Sequence, residues 1–153
     1  MDQGKIDFKW MSCAWITALV SKDPNTKVGA VIVSSDNRQC SVGYNGFPVG
    51  VEETPQKWER PLKYEYVQHA EPNAIANCPF DTYGCTIYIT HMPCHRCLGH
   101  IRNSGIKHIV YNLGYDRLGH REVWNDIALV FDSIRQMDRD IRQEIISKLQ
   151  DLN

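Results

Sequence analysis

Long hydrophobic runs are missing from this chain. No stretch of its 153 residues is apolar over the length that a bilayer-crossing helix needs, so no membrane span is expected. A surplus of positive charge is missing too. The 17 Lys and Arg face 18 Asp and Glu, a formal net charge of -1. Polynucleotide-binding domains are usually basic. Local patches aside, this balance points to a small substrate and to no nucleic-acid partner. An export signal is also lacking, because Met1-Asp2-Gln3-Gly4-Lys5 leads into an amphipathic segment rather than an apolar core. The six cysteines are therefore expected in a reducing cytoplasm, and Cys13, Cys40, Cys78 and Cys85, in apolar surroundings, read as inert packing residues. There is no repeat, low-complexity tract or linker. The length suits one domain, residues 1–153, with a real core. Glycine and proline are absent from residues 121–153.

What is present orders itself as α/β. Ile6 to Val20 reads as a helix that is apolar over most of its circumference, which predicts burial on more than one side. Val28-Gly29-Ala30-Val31-Ile32-Val33 is a continuous apolar run, the pattern of a central strand covered on both faces. Ser34-Ser35-Asp36-Asn37 turns the chain, and Cys40, Val42 and Tyr44 alternate with polar residues as a second strand, completing a hairpin. Cys85 to Thr90 and His108 to Tyr111 flank a helical segment, a β-α-β unit with a right-handed crossover. The sum is a three-layer α/β/α domain on a mixed sheet of four to five strands. Beyond residue 120, Val123, Ile127, Val130, Ile134, Met137, Ile141, Ile145 and Leu149 recur at helical spacing. That stripe predicts a helical C-terminus, with a packing or subunit face. Residues 46–66 form the one long loop, and long loops in compact domains tend to be functional.

The chemistry gathers in His69-Ala70-Glu71 and Pro93-Cys94-His95-Arg96-Cys97. Zinc accepts imidazole nitrogen and thiolate sulfur; a structural site closes with four protein ligands, and a catalytic site keeps one position open for water. His69, Cys94 and Cys97 supply three ligands, and Glu71 can stand beside the water. Pro93 suits the first turn of a helix, where its missing N–H costs nothing. Cys94 and Cys97, three apart, then share a face, and the helix N-terminus favours their thiolates. Gly105 is a natural left-handed cap for the end of that helix. Pro72 places His69 and Glu71 at the start of another. The plain alternatives are a redox pair or a structural zinc, for which His91, His95 and His100 are nearby fourth ligands. The full pattern, H-x-E…P-C-x-x-C, is the signature of zinc nucleobase deaminases.

Three further segments narrow the resemblance: Ser21-Lys22-Asp23-Pro24-Asn25-Thr26-Lys27-Val28-Gly29-Ala30, Gly43-Tyr44-Asn45-Gly46-Phe47-Pro48, and His69 through Ile75. With Gly105-Ile106-Lys107 they resemble the deoxycytidylate (dCMP) deaminase family from about residue 8 to 117. The resemblance implies a cytidine-deaminase-like fold and hydrolysis of dCMP to dUMP and ammonia, a supply for thymidylate synthesis. Glu71 would deliver the water proton to N3 of the base and then protonate the departing amine. It implies substrate contacts from Asn45, Ala70, Tyr115 and Asp116, with Lys22 and Asn25 as candidates near the 5′-phosphate. A turn asparagine, a solvated loop lysine and an ordinary turn are the plain alternatives for Asn45, Lys22 and the Tyr115-Asp116 pair. One Zn2+ per chain is expected, since residues 46–66 hold no cysteine or histidine for a second.

The family further implies a homohexamer with dCTP as activator and dTTP as inhibitor, bound with Mg2+ at Gly43, Tyr44, Asn45, Gly46 and Phe47, the plain alternative being a tight turn. Val51-Glu52-Glu53 departs from the family's usual continuation, and the helical reading of residues 121–153 puts its fifth strand in doubt. Rival activities are deamination of dCTP, cytidine or tRNA adenosine. A zinc-stabilised binding module is the non-catalytic alternative.

Overall fold

The computed structural model describes residues 2–115 and 119–152. Helix α1 (Gln3–Ala18) opens with Asp2, whose carboxylate accepts the Lys5 N–H, so the helix begins and ends a little earlier than its apolar run suggests. A hairpin follows, β1 (Gly29–Val33) antiparallel to β2 (Cys40–Tyr44). The segment after it is not structureless. It contains a 3-10 turn (Pro55–Trp58) and the short helix α2 (Lys63–Tyr66), and Phe47 stacks on Trp58 and Tyr66 with centroids 4.3 and 5.2 Å away. Then come α3 (Ala70–Asn77), β3 (Thr86–His91), α4 (His95–Asn103) and β4 (His108–Leu113), followed by α5 (Arg121–Ala128), β5 (Ser133–Gln136) and α6 (Ile141–Gln150).

The sheet order is β2-β1-β3-β4-β5. β1 pairs antiparallel with both β2 and β3, whereas β3, β4 and β5 run parallel. Every residue of β1 is buried, which is why its sequence shows no alternation. Ala30 and Ile32 join Ile87, Ile89 and Ile109 under α3, α4 and α5. Val31, Val33, Tyr88 and Val110 join Trp10, Met11 and Ala14 of α1 and Ile145 of α6 on the other face. Two glycines set how close the layers come. A Cβ at Gly29 would lie 2.0 Å from the Ala14 carbonyl of α1, and one at Gly43 would lie 2.3 Å from the Ala74 nitrogen of α3.

The C-terminal stripe is not one helical unit: the fifth strand is present. Val123 and Ile127 belong to α5, Ile134 to β5, and Ile141, Ile145 and Leu149 to α6. The edge of β4 carries backbone donors and acceptors that need partners, and β5 satisfies them. Side chains do the turning that glycine or proline would do elsewhere, as where the Asp138 carboxylate accepts the Asp140 N–H at 2.8 Å. Helix α1 is buried on its sheet side and against α6, but Ile16, Leu19 and Val20 stay exposed. Among the four non-motif cysteines only Cys85 is buried; Cys40, at the start of the edge strand, is exposed.

One polar network ties α1 across the sheet. Asp7 accepts from Tyr88 at 2.7 Å and from both terminal nitrogens of Arg135 at 2.9 and 3.2 Å. Burial alone would raise the Asp7 carboxyl, but the bonds from Arg135, Tyr88 and Gln3 outweigh it and hold it below the usual range. Asp7→Ala strands the buried Tyr88 hydroxyl and is expected to cost about 2 kcal/mol. Because the folded value is depressed, the part of that contribution that rests on the Asp7 charge is complete above the ordinary value of 3.8 and is lost as pH falls through the folded one. Denaturant unfolding of wild type and variant should show a gap that is full at neutral pH and narrows in acid.

Candidate metal and catalytic site

Two helix starts converge on one point. His69 is the N-cap of α3 and Cys94 the N-cap of α4, with nearly identical extended backbones (φ -71, ψ 161 and φ -71, ψ 167). Neither side chain caps its own helix, so both are free to face each other. Pro93 therefore stands one residue before the cap rather than in the first turn, and Cys97 occupies that turn. The Pro93 carbonyl accepts the Trp124 indole N–H at 2.9 Å, so α5 pins the cysteine loop from behind.

The ligand atoms of His69, Cys94 and Cys97 all lie within 4.8 Å of one another. His69 Nδ1 is 3.3 Å from Cys97 Sγ and 3.8 Å from Cys94 Sγ. Zn–S and Zn–N bonds of ordinary length at a tetrahedral angle place sulfur and nitrogen about 3.6 Å apart. The donor set fits zinc. Among the described residues no further histidine, cysteine or carboxylate joins the group. His91 bonds Thr90 Oγ1 at 2.8 Å, the His95 ring lies 4.6 Å from that of His120, and His100 is exposed. Three ligands with an open side describe a catalytic geometry better than a structural one.

The donor groups are also coupled to one another electrostatically. The hydrogen bond from Cys97, with help from His69, holds the Cys94 thiol down to about 3, and the proton stays on Cys97, whose thiol is pushed up by the same bond and by burial. The His69 imidazole is raised by its contact with Cys94. Glu71, second residue of α3, is 4% exposed, and burial pushes its carboxyl up despite the opposing pull of His69. His91 is brought down to about 4 by burial and by Arg142, so it is neutral at physiological pH.

These groups open on a cavity of about 350 Å3. Asn45, His69, Ala70, Glu71, Cys94 and Tyr115 all line it; Asp116 lies outside the described residues. The structure does not bring Lys22 or Asn25 to this wall. Lys22 points outward to Glu53 at 3.2 Å, and Asn25 accepts from Lys63 at 3.1 Å. Asn45 is heavily engaged: Oδ1 accepts the Val28 N–H, and Nδ2 donates to Asp23 and to the Thr26 carbonyl. Arg60 and Lys63 line the cavity although the sequence reading passed over them. The one available signal was two cations close together in the long loop before His69. In the Gly43–Phe47 segment, Gly43 serves the approach of α3, and Phe47 packs within its own loop. Tyr44 is 40% exposed.

The model for the cytidine and deoxycytidylate deaminase zinc-binding region matches residues 5–113, and the chain belongs to that family. A probable deoxycytidylate deaminase of Caenorhabditis elegans is 42% identical over 118 residues, covering 74% of this chain and 60% of the relative. The deoxycytidylate deaminase of Homo sapiens is 41% identical over 109 residues, 67% of this chain and 61% of the relative. The chain thus spans about three fifths of the length of these curated relatives. The structure of dCMP deaminase from the cyanophage S-TIM5 in complex with dCMP and dUMP superposes with a TM-score of 0.72 at 26% identity, over 90% of this chain and all of that one.

Proposed function

We propose that this chain deaminates dCMP to dUMP and ammonia by hydrolysis, supplying dUMP for thymidylate synthesis in the cytoplasm. The observation that carries the reading is the His69, Cys94 and Cys97 triangle with buried Glu71 on the wall of the same cavity. Similarity to deoxycytidylate deaminases, one of them a structure with dCMP and dUMP, supports the choice of substrate. When bound, zinc supplies the acidification of water that hydrolysis at neutral pH requires. Glu71 takes a proton from the attacking water and hands it to N3 of the cytosine, then takes the remaining proton of the new C4 hydroxyl and gives it to the 4-amino group, which leaves as ammonia. Its burial suits it to both halves of that exchange, because a raised carboxyl gives and takes protons closer to neutrality. Ala70 and Tyr115 form wall against the base, and Asn45 offers the remaining lone pair of Oδ1. Ammonia release from dCMP, CMP, dCTP, deoxycytidine and a tRNA anticodon stem tests the reading. Preference for dCMP is expected; preference for another member of the panel would replace the substrate.

Regulation and assembly belong to the same proposal. dCTP as activator and dTTP as inhibitor, each with Mg2+, would bind at the Gly43–Phe47 segment, where exposed Tyr44 offers an aromatic face. Saturation kinetics with each triphosphate should shift the dCMP curve, and an unmoved curve would reduce the segment to a turn. A homohexamer is supported by the apolar patch of Ile16, Leu19, Val20, Ile146 and Leu149 on α1, the turn after it and α6. Sedimentation at micromolar concentration should show an oligomer; a stable monomer would contradict it.

A further inference from the structure

The charged groups on the cavity wall are not equally available to a ligand. Lys63 is buried, and its ammonium is fully committed, to Asp23 Oδ1 and Oδ2 at 3.1 and 3.0 Å and to Asn25 Oδ1 at 3.1 Å. An ammonium has three protons to give, so nothing is left for a ligand. Asp23 is equally occupied: besides Lys63 and Asn45 it accepts the backbone N–H groups of Asn25 and Thr26. The Asp23–Lys63 pair is 4% and 6% exposed and cancels its own charge. It acts as a clamp that holds the loop carrying α2 against the turn before β1. Lys22 is turned away to Glu53.

Arg60 is different. It lines the same cavity, is exposed, and makes no ion pair or side-chain hydrogen bond with any described residue. Its position, three residues before Lys63, is fixed by that clamp and by the Trp58–Phe47–Tyr66 stack on either side. A guanidinium carries five N–H donors in a planar fork that matches phosphate oxygens two at a time.

Resting on the dCMP reading above, we infer that Arg60 is the residue that recognises the 5′-phosphate, and so sets the preference for a nucleotide over its nucleoside. Lys63 and Asp23 are positioning residues that hold it there. Removing a charge-assisted, bidentate contact to phosphate is expected to weaken binding by roughly tenfold to a hundredfold, and only for ligands that carry the phosphate.

The test uses the product, so that binding is read without turnover. Calorimetry of dUMP and deoxyuridine on the zinc-loaded wild type, Arg60→Ala, Arg60→Lys and Lys22→Ala gives four affinity ratios. The inference expects the dUMP-to-deoxyuridine ratio to fall at least about tenfold in Arg60→Ala, to recover partly in Arg60→Lys, and to stay at the wild-type value in Lys22→Ala. An unchanged ratio in Arg60→Ala would overturn it, and so would an equal loss for both ligands, which marks a structural role. A fall in Lys22→Ala alone moves the phosphate to Lys22 and also overturns it. If the wild type binds neither ligand, the dCMP reading fails first and the inference with it, a pattern distinct from the others.

Discussion

Replacing Glu71 with glutamine should leave one zinc per chain and a normal unfolding transition, yet lower dCMP turnover by at least about a hundredfold, the low end for loss of a general acid–base group. The physical case is specific to this side chain. Glu71 is 4% exposed at the second position of α3, so an amide of the same shape fills its place without opening a cavity. The amide cannot take a proton from water or return one to the amine. Since Glu71 is not among the three donors of the metal group, the metal should stay. Metal analysis and steady-state kinetics on purified protein check both halves. Turnover within a few-fold of wild type would remove Glu71 from the chemistry; loss of zinc would make it a ligand or a prop for one.

Cys97→Ala should behave in the opposite way, losing metal and activity together. Cys97 is 3% exposed, and its sulfur lies 3.3 Å from His69 Nδ1, so its removal leaves His69 and Cys94 as a two-donor remnant. Outer-shell changes in metal sites typically cost ten- to a hundredfold in affinity; loss of a ligand should exceed about a hundredfold. Metal binding is also folding free energy, so the variant should melt lower than wild type in zinc and show no further shift when a chelator is added. Competition with a chromophoric chelator measures the affinity directly. Retained tight zinc would mean that another residue completes the group.

Much of this site was legible because its information is local. His69 and Glu71 are two residues apart and Cys94 and Cys97 three, and each pair sits at a helix start marked by a nearby proline. The proline before Cys94 misled by one position: it belongs to the turn that presents the cysteine, and its carbonyl is held by Trp124, a contact 31 residues away. The first two strands were legible from their patterns, fully apolar in β1 and alternating in β2. Only β1 follows burial: in β2 the buried residues are Ser41 and Gly43, and the apolar Cys40, Val42 and Tyr44 are exposed. In residues 121–153 the pattern misled. With no glycine or proline to interrupt it, the apolar spacing runs on across α5, β5 and α6, and the pairing of Ile134 with Ile109 is a demand of the β4 edge that local spacing does not record. The cation proposed to meet the phosphate was the least legible part. Lys22 and Arg60 are both surface cations in loops, and what distinguishes them is a Lys63–Asp23 clamp between residues 40 apart.

The most direct test of the account is conversion of dCMP to dUMP followed against zinc content in one preparation: as purified, after chelation, and after zinc is restored. The account predicts turnover that tracks occupancy up to one zinc per chain, vanishes on stripping and returns on reloading. Protein that carries a full equivalent of zinc, stays folded, and releases no ammonia from dCMP would contradict it and leave a zinc-stabilised binding module in its place.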